Sequence, residues 1–190
     1  GGFEARVKYI EELWAGANQA NEEGTSLETL LTQYSMATRF PDLAESPGCN
    51  GRNNFTTIGE MWITVSNQQS GALALYELIE SEAGEEEIHS LLAQREAEHP
   101  THFFLETEIN AYGYRLLQTS TPAQAVTMFR INVDFYPESW NVYDSLGEGL
   151  FAAGEKDEAI AMYEKSLELN PESPSGQQML ERIRRENSVN

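Results

Sequence analysis

The stretch "SWNVYDSLGEGLFAAGEKDEAIAMYEKSLELNP", Ser139 to Pro171, decides the fold. It sets two small residues, Gly147 and Ala159, among large apolar ones. Tyr143, Leu146, Gly147 and Leu150 recur at three- and four-residue steps, as one face of a helix does. Ala159, Ile160, Tyr163 and Leu167 do the same on a second helix, and "AAGEK" between them reads as a turn. Two antiparallel helices approach closely only where the contact lacks bulk, with large side chains interdigitating on either side. Glycine inside a helix costs about 1 kcal/mol relative to alanine, so tight packing is expected to offset it at Gly147.

The same arrangement stands 34 residues upstream. Gly113 falls on Gly147, Leu116 on Leu150, Ala125 on Ala159, Phe129 on Tyr163, and Pro137 on Pro171. Pro137 and Pro171 stop the second helix of each unit. Thr121-Pro122 and Ser173-Pro174 each place a capping hydroxyl before a proline suited to the first helical position. A last helix, from Ser173 to about Asn187, carries Met179, Leu180 and Ile183 on one side and Arg182, Arg184 and Arg185 on a polar outer side.

This pattern, from Glu106 to Pro171, resembles the tetratricopeptide repeat, a 34-residue helix–turn–helix unit. It departs at the usual first-helix tryptophan, where Ile109 and Tyr143 stand, both bulky and apolar. The resemblance implies an all-α fold: antiparallel hairpins stacked as a short right-handed superhelix, closed by a C-terminal capping helix. It also implies that partners bind along the concave surface made by the first helices. Carried over residue by residue, that surface is Thr107, Asn110, Tyr114 and Leu117 from one unit and Asn141, Asp144, Glu148 and Phe151 from the next. Asp144 and Glu148 would repel the terminal carboxylate that some such repeats clamp, so a basic or apolar segment suits this surface better. With few units present, the chain's own helices or a second copy could also fill it.

Repeat stacks need about three units, so the upstream helices should complete this one. Residues 1–50 read as an N-terminal helical hairpin. Its first helix runs from Phe3 to about Glu23, with Phe3, Val7, Ile10, Leu13, Trp14 and Ala17 as the apolar stripe and Gly24 as its end. Ser26 opens a second helix carrying Leu27, Leu30, Leu31 and Tyr34. "RFPDLAESPGCNGRNN", Arg39 to Asn54, is a loop rich in Pro, Gly, Asn and Asp. Residues 55–103 read as a divergent helical region: Thr57 to Val65, Ser70 to Glu82, and a helix opened by Glu85–Glu87, where the helix dipole favours acids, and stopped at His99 by Pro100. Thirty-four residues before Gly113 and Ala125 stand Ile79 and Leu91, too large for the close contact, so this hairpin is expected to pack differently. Residues 104–190 hold the two repeat units and the cap.

The 12 basic and 31 acidic residues leave a net charge of −19. Phosphate binding needs clustered Lys and Arg, so neither nucleic acid nor an anionic membrane surface is expected as a partner. The charge serves solubility, with a preference for basic partners as the functional alternative. No stretch approaches the roughly 20 apolar residues of a membrane helix. No signal peptide is visible, and the start at Gly1 without Met fits a piece cut from a longer protein. The lone cysteine, Cys49, can form neither an internal disulfide nor a Cys-x-x-Cys metal site. "NFT" at Asn54–Thr56 matches a glycosylation sequon, a short motif common by chance. His99 and His102 have turn-like metal-ligand spacing, but no acidic or Cys constellation completes a site. No hydrolase, zincin or phosphate-loop motif is present. Neither a catalytic residue, a metal nor a cofactor is expected.

Two further resemblances bear on function. The stretch from Ile109 to Ser173 looks like a tail attached to several kinds of bacterial enzyme, among them serine hydrolases and metallo-hydrolases. "YIEELWAGANQANEEGTSLETLLTQYSMATRFPD", Tyr9 to Asp42, is similar to the helical extension that follows the core of metallo-β-lactamase-fold hydrolases. Together they imply a non-catalytic C-terminal module of such a hydrolase, serving protein–protein interaction or dimerisation. Its partner would be a protein or peptide, the parent enzyme's own domain, or a second copy. The alternative is a free-standing adaptor that binds a peptide or protein.

Overall fold

The computed structural model describes residues 2–25, 27–33, 61–62, 66–97 and 100–187. They fall into two compact units, residues 1–70 with 96–103, and residues 71–95 with 104–190.

In the first unit, α1 (Gly2–Glu22) packs on α2 (Leu27–Gln33). Gly24, at φ +69°, turns the chain out of α1, and the Thr25 amide reaches back to the Ala20 carbonyl at 2.7 Å. The helix, its stop and two residues of the expected stripe, Leu13 and Ala17, agree with the sequence, but the rest of the buried side differs. Tyr9, Leu13, Gly16, Ala17 and Ala20 are buried. Val7, Ile10 and Trp14, expected in the stripe, are 41%, 42% and 44% exposed. Small residues let the helix lie close on that side, and large apolar residues are free to face outward, since a surface is never wholly polar. Ser26, the loop from Arg39 to Asn54 with Cys49, the sequon and most of the Thr57–Val65 helix lie outside the described residues. Trp62 is buried and donates its indole N–H to Gln68 Oε1 at 2.6 Å, while Gln68 Nε2 donates to the Pro100 carbonyl. Beside this link β1 (Gln69–Ser70) pairs in parallel with β2 (His102–Phe103), a short departure from the all-helical expectation.

The second unit is a run of helices: α3 (Gly71–Glu80), α4 (Glu85–Leu92), a 3₁₀ turn (Ala93–Glu96), α5 (Glu106–Thr119), α6 (Pro122–Phe135), α7 (Trp140–Ala152), α8 (Lys156–Leu169) and α9 (Pro174–Asn187). The turn's last residue, Glu96, belongs to the first unit. From α5 onward each helix packs on the next, and α3 packs on α4, α5 and α6. The hairpin α3–α4 thus shares the core of the repeated region, through Ala72, Leu75, Tyr76, Ile79 and Leu91. Gln124 Nε2 donates to the Ile79 carbonyl at 2.9 Å and fastens the start of α6 to the end of α3. Leu91 and Ile79 stand in that core as large residues.

The two hairpins α5–α6 and α7–α8 repeat one contact. A Cβ on Gly113 would stand 2.4 Å from the Phe129 ring, and one on Gly147 would stand 3.1 Å from the Tyr163 ring. The sequence paired Gly147 with Ala159; the structure places the Tyr163 ring against the glycine and Ala159, like Ala125, fully in the core. Phe129 meets a second glycine from the other side, since a Cβ on Gly149 would stand 2.9 Å from its ring. Thr121 caps α6 in a capping box with Gln124. The α7–α8 turn closes on Gly154, at φ +84°, with the Glu155 amide bonded to the Leu150 carbonyl at 2.9 Å. α6 and α8 end at Phe135 and Leu169, each two residues before the expected proline stop, Pro137 or Pro171. Ser173 is buried ahead of α9, and its hydroxyl accepts from the Gly176 amide at 3.5 Å. α9 buries Leu180 and Ile183. Trp140 is 36% exposed at the start of α7.

Candidate functional site

The expected binding residues lie on α5 and α7, which pack side by side. Residues i, i+3 and i+4 share a helix face, so Asn110, Tyr114 and Leu117 form one row on α5, and Asp144, Glu148 and Phe151 the matching row on α7. Thr107 and Glu148 are exposed; Asn110, Tyr114, Leu117, Asn141, Asp144 and Phe151 are partly buried.

Equal positions of the two hairpins meet at the centre of this face. The Tyr114 hydroxyl donates to Glu148 Oε2 at 2.9 Å, across an offset of 34 residues, and lies 3.3 Å from Ser145 Oγ. Asn141 Nδ2 donates to Glu106 Oε1 at 3.1 Å, so the first turn of α7 is tied to the first residue of α5. Asp144 and Phe151 are met by α9 instead. The Ser175 hydroxyl lies 3.3 and 3.4 Å from the two Asp144 carboxylate oxygens, and the Arg182 guanidinium carbon lies 5.1 Å over the Phe151 ring. Asn110 Oδ1 is buried and has no hydrogen-bond partner.

Burial sets the electrostatics. It pushes the Tyr114 phenol up to about 12, the Ser145 contact opposing and the charge of Glu148 adding to the rise. It also raises the Asp144 carboxyl, with the Ser175 bond opposing and Glu148 adding to the rise. Beneath them the Tyr163 phenol is raised, first by burial and then by the negative charges of Asp144 and Glu148. At neutral pH both phenols keep their protons, and that of Tyr114 donates to Glu148. The face therefore sets the carboxylates of Asp144 and Glu148 beside the apolar surface of Leu117 and Phe151.

Described basic side chains pair with carboxylates outside these two rows, Arg182 among them although it also lies over Phe151. Arg130 pairs with Glu158, Lys156 with Glu186, Lys165 with Glu168, Arg182 with Glu186, Arg184 with Glu164, and Arg185 with Glu181. Among the described residues, neither Asp144 nor Glu148 has a basic partner. Among the same residues, no group of three or more His, Cys, Asp or Glu is placed to hold a metal ion. His99 lies outside the described residues, and His102 sits in β2. No described helix is long and apolar enough to cross a membrane. An open depression of about 430 Å³ at the α6–α7 turn is lined by Phe135, Tyr136, Pro137, Glu138 and Ser139 and lies apart from this face.

Sequence reasoning missed Glu106, Ser145, Ser175 and Arg182. Each joins the face from another turn or helix, and hydrogen bonding of this kind leaves no period to read. The Tyr114–Glu148 pair did have a signal, because residues one repeat apart stand at equal heights on neighbouring helices. The chain matches no protein family and no curated protein.

Proposed function

We propose that this chain is a non-catalytic protein-interaction module. In this reading its hairpins stack as a short, tetratricopeptide-like right-handed superhelix, and the α5–α7 face is the binding surface. One observation carries it. The same glycine-against-aromatic contact recurs after 34 residues, and it brings Tyr114 and Glu148, equal positions of successive units, onto one face. Repeats of this kind present partners with side chains from successive first helices. The partner is a protein or peptide segment. The resemblance of residues 9–42 to the helical extensions of metallo-β-lactamase-fold hydrolases adds a setting, a C-terminal module acting on or beside its own enzyme's catalytic domain. The same face would serve a free-standing adaptor.

The test replaces Asn110, Tyr114 and Asn141 together by Ala and compares capture of a discrete partner from the source extract. Wild type is expected to retain a partner that the triple variant loses, with both chains still cooperatively folded. A partner kept by the variant would count against the face. Light scattering that showed a dimer in wild type and a monomer in the variant would assign the face to self-association.

A further inference from the structure

The α5–α7 face is chemically one-sided, and this bears on what it takes, given the binding role proposed above. Its charged side chains, Asp144 and Glu148, are both acidic. Glu148 is exposed, and its Oε2 is held by the Tyr114 hydroxyl, so the carboxylate is oriented before any ligand arrives. Asn110, one turn before Tyr114 on α5, buries a side-chain oxygen that no donor reaches. Leu117, one turn after Tyr114, is partly buried apolar surface.

The chain also shows what the neighbouring positions accept. Where α9 lies against α7, it meets Asp144 with a hydroxyl and Phe151 with a guanidinium, 5.1 Å from the ring. A cation over an aromatic ring and a donor on a carboxylate are the contacts an arginine or lysine makes. We infer that the part of this face that α9 leaves open, with Glu148 held by Tyr114 beside Leu117, selects a basic segment of another protein. The lysine or arginine head group goes to Glu148, and its aliphatic stem lies on Leu117. An acidic segment would be repelled by Glu148 and Asp144. A second copy of this chain brings another net charge of −19 against the first.

The test measures fluorescence anisotropy on the full chain at about 150 mM salt, where long-range attraction is screened beyond about 8 Å. The probes are four labelled peptides of alternating leucine with arginine, lysine, glutamine or glutamate. Glu148→Gln keeps an acceptor for Tyr114 and removes the charge. Asp157→Asn removes one exposed charge from α8, away from the face. The arginine and lysine peptides are expected to bind at least tenfold more tightly than the glutamine peptide. Glu148→Gln should weaken them about tenfold, the equivalent of about 1.4 kcal/mol, and Asp157→Asn should not. Equal weakening by both variants would make the attraction a property of net charge and overturn the inference. A glutamine peptide that bound as well as the arginine one would leave the face a docking surface and end its selectivity for cations. If none of the four bound, cation selection by this face would fall, while capture of a folded partner that the triple alanine variant loses would still stand for the broader reading.

Discussion

Hairpins α5–α6 and α7–α8 are built on one frame and fitted with different tightness. At the shared position, Gly113 leaves 2.4 Å between a Cβ and the Phe129 ring, whereas Gly147 leaves 3.1 Å to the Tyr163 ring. Phe129 is also pressed by Gly149 from α7, and the Tyr114 ring meets it edge-on at 5.2 Å. One turn further along the second helices, both hairpins bury a polar residue, and again they differ. Asn132 Nδ2 donates to the Glu106 carbonyl at 3.1 Å while its Oδ1 has no partner, and the Ser166 hydroxyl has none either. The frame thus repeats where close approach requires it, and the chemistry diverges wherever a side chain has another place to go.

The comparison can be broken most forcefully at Phe129. It is fully buried, and Phe129→Ala should cost about 3–5 kcal/mol of unfolding free energy in denaturant titration. A loss below about 1 kcal/mol would mean that the two glycines do not grip the ring.

A matched pair of glycine substitutions sharpens the contrast. Gly113→Ala drives a methyl into a ring held on both sides and should cost about 1–3 kcal/mol. Gly147→Ala asks the Tyr163 ring to give by a few tenths of an ångström and gains helix propensity of about 1 kcal/mol. It should therefore fall within about 1 kcal/mol of wild type. Equal losses at both sites would show that the hairpins are packed alike.

Alkaline titration separates the hairpins by their tyrosines. The folded-state phenol of Tyr114 is pushed up to about 12 from an ordinary value of 10.0. Between those values the unfolded chain loses a proton that the folded chain keeps, so stability is complete below pH 10 and falls as pH rises toward 12. Tyr114→Phe should flatten that fall, read as melting temperature against pH. An unchanged slope would place the phenol in water.

The smallest effect is expected at Asp144. Its carboxyl is raised by burial, so its charged form costs stability, and the cost sets in as pH rises through the folded-state value. Asp144→Asn keeps an acceptor for Ser175 and should raise the melting temperature slightly at neutral pH while leaving it unchanged in acid. A lower melting temperature at neutral pH would make the carboxylate a stabilising partner of α9.

How much of this was legible follows from the same contrast. Gly113, Gly147, Ala125 and Ala159 were readable because a close helix contact excludes side chains and so writes itself into the residue type. The Phe129 and Tyr163 rings recurred for the complementary reason. The buried side of α1 was read in part: Leu13 and Ala17 are buried as expected, but Val7, Ile10 and Trp14 fit a helical stripe as well as Tyr9 and Ala20 do, and periodicity alone cannot choose between them. On the candidate site, the rows of α5 and α7 followed from the repeat. The bonds from Glu106, Ser175 and Arg182 did not, because each depends on how a neighbouring helix end is turned.

The socket of Phe129 has a consequence for how the chain comes apart. One wall of it, Gly113, belongs to the same hairpin, and the other, Gly149, belongs to the next. In a linear array, the strength of coupling between neighbouring units decides whether they melt one by one or together. A side chain clasped by two units makes the opening of either one strip surface from both. A hairpin cut free after Pro137 would carry the ring with one of its walls missing, so these two units lose their independence and are expected to unfold in a single cooperative step.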